Sequence, residues 1–294
     1  MPAALRLSNA LEHVVEDMVT LTRSLEVIYG DHSNRHFVVV APNHNWGART
    51  PQQQNKHMEI VRQYHQVTEL IAVLIKGAPA NLTRLFEHSN KSFAPWLQLS
   101  SNWALSSKSD ENEQKIRESV AGLHEVLAVL AAGPRTQLIL VPDTNSLLGN
   151  ADPTAYRVLS GHTIFDFLLL PTVLGELDEL KMLHRNPDVR DKAKKIITRI
   201  KGWRNQGPLL RGVTLDETIT VRALHNEPVV AESLSWLDAD NSDDRIIASV
   251  LHVQAFSPSA HVILITGDIN LQNKADAAMI EVIDADFDAD RTGV

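Results

Sequence analysis

QLILVPDTNSLL, residues 137–148, is where this chain changes character. Its first six residues form an apolar run of strand length. Asp143 then begins a turn into a helix. Three more short apolar runs follow: TIFDFLLLP (163–171), HVILITG (261–267) and IEVID (280–284). Helical patterns separate the runs, over 172–184, 188–204, 229–238, 242–256 and 270–279. Continuous apolar runs alternating with helices predict an α/β unit around a mainly parallel sheet, whose strands are buried on both faces. VTLDETITVRAL (213–224) alternates only in part and reads as an extra strand or a hairpin.

Working back from residue 137, the texture is helical. Residues 5–28 place Leu11, Val14, Val15, Met18, Leu21, Leu25 and Ile28 on one apolar stripe. Residues 52–76 repeat the pattern with Met58, Val61, Tyr64, Val67, Leu70, Ile71 and Leu74. Residues 111–132 do so again, and Gly133-Pro134 stops that helix. HFVVVAP (36–42) is a short strand-like run, and SSNWALSSKSDENEQ (100–114) reads as a loop. His44 and Trp46, in APNHNWG, fit a structural loop better than a surface contact. The expected division is an α-helical domain over 1–134 and an α/β domain over 135–294.

The 294 residues give room for two ordinary domains. The chain has no cysteine, which excludes disulfides, zinc–thiolate sites and a cysteine nucleophile. The formal net charge of -8 argues against capture of nucleic acid by bulk charge, so any such binding has to be local. The first residues are acid-containing and amphipathic, without the features of a signal peptide. No apolar stretch approaches the roughly 20 residues of a membrane helix. The expectation is a cytoplasmic protein with no membrane contact.

Acids stand at the element ends. In open parallel sheets, ligands bind beyond the carboxyl ends of the strands. Asp143 and Asp268 each follow a strand. Glu176 lies about one helical turn after Pro171. Asp243 and Asp244 fall in the first turn of DDRIIASVL. One such acid is explained by capping and the helix dipole. Four of them on one sheet edge repel each other and persist only with a neutralising cation or with bound protons. Oxygen-only ligands select a hard ion, Mg²⁺ or Mn²⁺.

These segments resemble the four motifs of PIN-domain nucleases. LVPDTNSLL (140–148) is similar to the opening strand with Asp-x-Asn, and LLPTVLGELDELK (169–181) to the second motif, with Val-x-x-Glu. NSDDRIIASVL (241–251) resembles the third, an acid three residues before an Ile. VILITGDINLQNKA (262–275) resembles the fourth, a strand ending in Thr-x-Asp. The likeness covers about 136–284 and implies a Rossmann-like three-layer fold. The acidic quartet it implies is Asp143, Glu176, Asp243 and Asp268, with Asn145 and Thr266 supporting the first and fourth acids. Spacing to Ile246 favours Asp243 over Asp244, but both stay open. The chemistry implied is metal-dependent phosphodiester hydrolysis, most often in RNA. DNA, a homo-oligomer and an antitoxin-like inhibitor also stay open. The long helical half and the enlarged 182–235 region depart from small PIN toxins, which puts a toxin role in doubt. The rival from another class is a silent PIN-like module that binds RNA or a protein. A haloacid-dehalogenase-type phosphatase fits poorly, because Asn145 stands where that chemistry needs a second Asp.

HRNPDVRDKAKKIITRIKGWR (184–204) is the strongest basic element. Lys192, Lys194, Lys195, Arg199 and Lys201 could hold a phosphate backbone, and a solvated helix face explains them equally well. DADFDADR (284–291) lacks the glycine and glutamate of a calcium loop and reads as a solvated tail. His32 and His36 precede a strand-like run, where their spacing does not converge, so no histidine is assigned to metal.

Overall fold

The computed structural model describes residues 1–29, 44–100, 105–133 and 137–286. The run 36–42, His32 and His36, the end of the acidic tail and Pro134 lie outside them. The chain divides into two units, 4–130 and 131–294, the second including the first three residues.

The first apolar stripe folds as α1 (Ala3–Arg23) and buries Leu11, Val14, Val15, Met18 and Leu21. The helix ends sooner than the periodicity predicts. After Arg23 the chain enters β1 (Val27–Tyr29), which pairs antiparallel with β2 (His44–Trp46). Ile28 is therefore 43% exposed on a strand rather than buried on a helix. His44 and Trp46 lie in a strand and not in a loop. The second stripe is α2 (Pro51–Leu74), started by a capping box between Thr50 and Gln53. Met58, placed on the apolar stripe by spacing, is exposed.

The helix α3 (Ala80–Leu97) had no counterpart in the sequence reading. Its buried residues are Leu82, Ser89, Phe93, Trp96 and Leu97, so a serine interrupts the apolar pattern. The reason is close packing against α4 (Ser109–Ala131). A Cβ on Gly122 of α4 would lie 2.3 Å from Ser89 Oγ, so only small residues fit at this approach. The helix α4 begins inside the stretch read as a loop, with Asp110 and Glu111 favouring its N-terminal dipole.

The second unit is built on six strands in the order β5-β6-β4-β3-β7-β8. They are β3 (Leu138–Pro142), β4 (Phe165–Leu169), β5 (Val213–Thr214), β6 (Ile219–Ala223), β7 (His261–Ile265) and β8 (Glu281–Ile283). Every adjacent pair is parallel except β5 with β6. The ambiguous segment 213–224 is thus the antiparallel hairpin β5–β6, with β6 joined parallel to β4. At Gly212, before β5, φ is +93° and a Cβ would sit 2.7 Å from Thr220 Cγ2, so the turn requires glycine. All five residues of β3 are buried, as a central strand covered on both faces requires.

The helices are α5 (Thr144–Gly149), α6 (Tyr156–Ser160), α7 (Pro171–Leu183), α8 (Pro187–Gln206), α9 (Ser242–Phe256) and α10 (Ile269–Ala277). The chain runs outward from β3 to β4 and β6, then returns to the opposite side of β3 as β7 and β8. The order reverses between β3 and β7, and crevices open at such reversals.

One helix expected from the sequence is absent. Residues 229–238 form a single 3₁₀ turn, Val230–Glu232, followed by turns. Val230 and Leu234 are buried at a spacing of four, as a helix would place them, but the backbone between them is not helical. The backbone N–H of Asp238 donates to Asp244 Oδ2 at 2.9 Å, which folds this segment onto the start of α9.

Candidate functional site

Asp143 ends the central strand. Its N–H donates to Ile265 O at 3.0 Å, extending the β3–β7 ladder by one residue. Its backbone is extended, and its side chain caps α5 by accepting the Ser146 N–H at 2.7 Å. The other carboxylate oxygen accepts the Thr266 hydroxyl at 2.5 Å. Thr266 follows β7 and is fully buried. The same hydroxyl oxygen accepts the Asp268 N–H at 3.0 Å. One threonine thus couples the first acid to the backbone of the fourth. Asp268 caps α10 by accepting N–H groups of Asn270 and Leu271.

Glu176 lies on α7 and accepts a hydrogen bond from the Thr144 hydroxyl, which ties α7 to α5. Asp243 lies in the first turn of α9, behind the Asn241 cap. These elements converge on a cleft of about 500 Å³. It is lined by Asp143, Asn145, Glu176, Asp243 and Asp268 among others. The two acids of Asp243-Asp244 part company here. Asp243 lines the cleft. Asp244 does not; it is buried and accepts the Asp238 N–H.

Lys274 of α10 reaches both, at 2.8 Å from Asp244 Oδ1 and 3.5 Å from Asp243 Oδ2. Burial works against its charge, but Asp244 and Asp243 outweigh it and raise its pKa. Behind Asp143, burial pushes the Tyr156 phenol well above its ordinary pKa, and the Asp143 charge adds to the shift. Tyr156 donates its hydroxyl proton to Asn150 O at 3.0 Å.

Asp143 is only 3% exposed. Among the described residues, it, Glu176 and Asp268 make no ion pair with Lys or Arg. A buried carboxylate without a cation is costly. The donor set is entirely oxygen, and its charge is unbalanced, so the set suits a hard divalent cation. Among the described residues, no three His, Asp or Glu side chains already stand close enough to hold one metal ion. Within the cleft, Asp143, Glu176 and Asp268 each accept hydrogen bonds from neutral donors.

Residues 140–286 match the family model of the PIN domain. The chain belongs to the PIN domain family. No curated protein matches it. PIN domains are usually nucleases and in general use divalent metals. The match falls on the α/β unit, so the family relationship concerns the sheet and its cleft.

The candidate phosphate-binding residues Lys192, Lys194, Lys195, Arg199 and Lys201 of α8 do not line the cleft of the PIN domain. All are exposed. Lys194 pairs with Asp191 at 3.1 Å and Arg199 with Asp152 at 3.7 Å. Lys201 borders a different groove, with Leu174, Asp178 and Arg204. Sequence reading missed several residues of the cleft itself: Thr144, Glu179, Leu180, Leu183, His184 and Ser242. Glu179 had a signal, since a residue three beyond Glu176 shares its helix face. No helix among the described residues is long and apolar enough to cross a membrane.

Proposed function

We propose that the cleft hydrolyses phosphodiester bonds, in RNA, with Mg²⁺ or Mn²⁺ as cofactor. One observation carries this reading. Carboxylates from four separate elements line one crevice at the reversal of strand order, and the most buried of them, Asp143, has no cationic partner among the described residues.

Asp143, Asp243 and Asp268 would hold the ion, with Glu176 completing the site or orienting water. A divalent ion there supplies positive charge to the developing phosphoryl oxygens and acidifies water. The chain's own part is positioning. Thr266 fixes the first and fourth acids relative to each other, and Thr144 keeps Glu176 toward α5. Leu180, Leu183, Ile246 and Leu271 give the cleft apolar walls that limit water around the reacting phosphate. No step requires a side-chain nucleophile.

The test is incubation with single-stranded and structured RNA and DNA, with Mn²⁺ or with EDTA. Cleavage of RNA is expected with Mn²⁺ and its loss with EDTA. Asp268→Asn is expected to slow cleavage by about 10²–10³-fold. Cleavage that survives both the chelator and the substitution would refute the mechanism. The rival reading is a PIN module that binds RNA or a protein without cutting. RNA retention without cleavage at any Mn²⁺ concentration would establish it.

A further inference from the structure

Lys274 points back from α10 to the start of α9, and its three contacts there are unequal. Its ammonium lies 2.8 Å from Asp244 Oδ1, 3.1 Å from Asn241 Oδ1 and 3.5 Å from Asp243 Oδ2. The Asp244 side chain is 8% exposed, whereas that of Asp243 is 29% exposed. The contact to Asp244 is short and dry. The contact to Asp243 is long for a hydrogen bond and open to water. Lys274 also makes the one ion pair formed by any of the four cleft acids among the described residues.

We propose that Lys274 is a positioning residue and the cleft's own counter-ion. Toward Asp243 it takes the electrostatic place of a divalent cation, so that cation has to draw Asp243 away from the ammonium. Lys274 thereby sets how tightly the cleft binds metal. The inference rests on the cleft being a cation site. An ammonium and a divalent ion sharing one carboxylate repel each other, and Asp244 keeps the ammonium nearby after Asp243 turns away. The buried pair supports the fold, while the half-exposed pair is the exchangeable one.

The experiment titrates Mn²⁺ into the full chain by calorimetry and follows its melting temperature with and without the ion. Lys274→Met leaves Asp244 buried without a cation, and the metal-free melting temperature is expected to fall by about 5–10 °C. A double variant, Lys274→Met with Asp244→Asn, removes that buried charge and is expected to recover most of the loss. Both variants are expected to bind Mn²⁺ about fivefold more tightly than the unaltered chain, the worth of one partly exposed ion pair. Lys274→Arg is expected to restore the original affinity. A lysine with a merely structural role would lower the melting temperature and tighten nothing. Mn²⁺ binding by the folded double variant that is no tighter than that of the unaltered chain overturns the proposal and leaves the cation site standing. If the unaltered chain binds no Mn²⁺, the cation site itself falls, and the proposal with it.

Discussion

Two groups of acids in this molecule are treated in opposite ways. In the helical unit, Glu12, Glu16 and Glu113 surround Arg117, with distances of 3.5, 2.7 and 3.0 Å. In the PIN domain, Asp143, Glu176 and Asp268 meet only neutral donors: a backbone N–H, a threonine hydroxyl, a helix N-terminus. The first group sits on exposed helix faces, where water already screens the charges, and still carries its own cation. The second lines a cleft at the sheet edge, with one member buried, and carries no cation; the neighbouring acid Asp243 has only the loose contact from Lys274. Acids that serve packing between helices are neutralised within the chain. The acids of the cleft are positioned without being neutralised, which leaves their charge available.

Core truncation tests whether the two regions stand apart. Phe93 in the helical unit packs its ring against Tyr64 at 4.7 Å, and Phe167 in the PIN domain packs against Tyr156 at 4.8 Å. Both phenylalanines are fully buried. Each change to alanine is expected to cost about 3–5 kcal/mol in denaturant unfolding. Added Mn²⁺ is expected to offset the loss for Phe167→Ala and not for Phe93→Ala. Equal rescue of both would show that the units do not unfold separately.

Asp143→Asn comes next. It keeps the α5 cap and the Thr266 contact but removes the buried charge. RNA cleavage is expected to fall by about 10²–10³-fold, equivalent to about 3–4 kcal/mol, and the Mn²⁺-induced rise in melting temperature is expected to vanish. If both persist, the cleft acids are no different in kind from those around Arg117.

Thr266→Val removes the hydroxyl shared by Asp143 and the Asp268 N–H. The expected cost is about 1–3 kcal/mol in stability, from the buried Asp143 carboxylate and the half-buried Asp268 N–H losing a partner. Cleavage is expected to drop by about tenfold through loosened acids. The conservative Thr266→Ser should recover most of both in the same assays.

Arg117→Met is the smallest change and the sharpest contrast, because it creates an uncompensated acid group on the helical unit. A loss of about 1 kcal/mol or less is expected, shrinking further at high salt. No Mn²⁺ dependence should appear, since exposed acids on flexible side chains are not a site. Arg117 also holds the Glu16 carboxyl below its ordinary pKa, by a hydrogen bond first and by charge second. A depressed folded pKa contributes stability above the ordinary carboxylate value, and that contribution disappears as pH falls through the folded value. Acid melting curves of the intact chain should show this loss, and Arg117→Met should flatten it.

Much of the PIN domain was legible because each local signal agreed with the global fold. The apolar runs at β3, β4, β7 and β8 are strands, and 242–256 is the helix α9. The misreadings have particular causes. The helix α3 was hidden because Ser89 occupies a buried position that faces Gly122, a pairing visible only once two helices meet. The end of α1 was placed too late because Ile28 kept the helical spacing while its backbone paired with Asn45. The 229–238 segment looked helical because Val230 and Leu234 keep a helical spacing, while its end is tied to Asp244, which lies beyond the segment.

By itself, the sequence located β3, β4, β7 and β8 and the helices α7 to α10, and it put Asp143, Asp243 and Asp268 at element ends and Glu176 about one turn into α7. Those are consequences of periodicity and capping, which act over a few residues. Only the tertiary structure decided that Asp243 faces the cleft while its neighbour Asp244 is buried against Lys274. It alone brought Thr266 between two acids and left the basic face of α8 outside the cleft. Adjacent residues on a helix point about 100° apart, so which one meets a ligand depends on what the helix packs against.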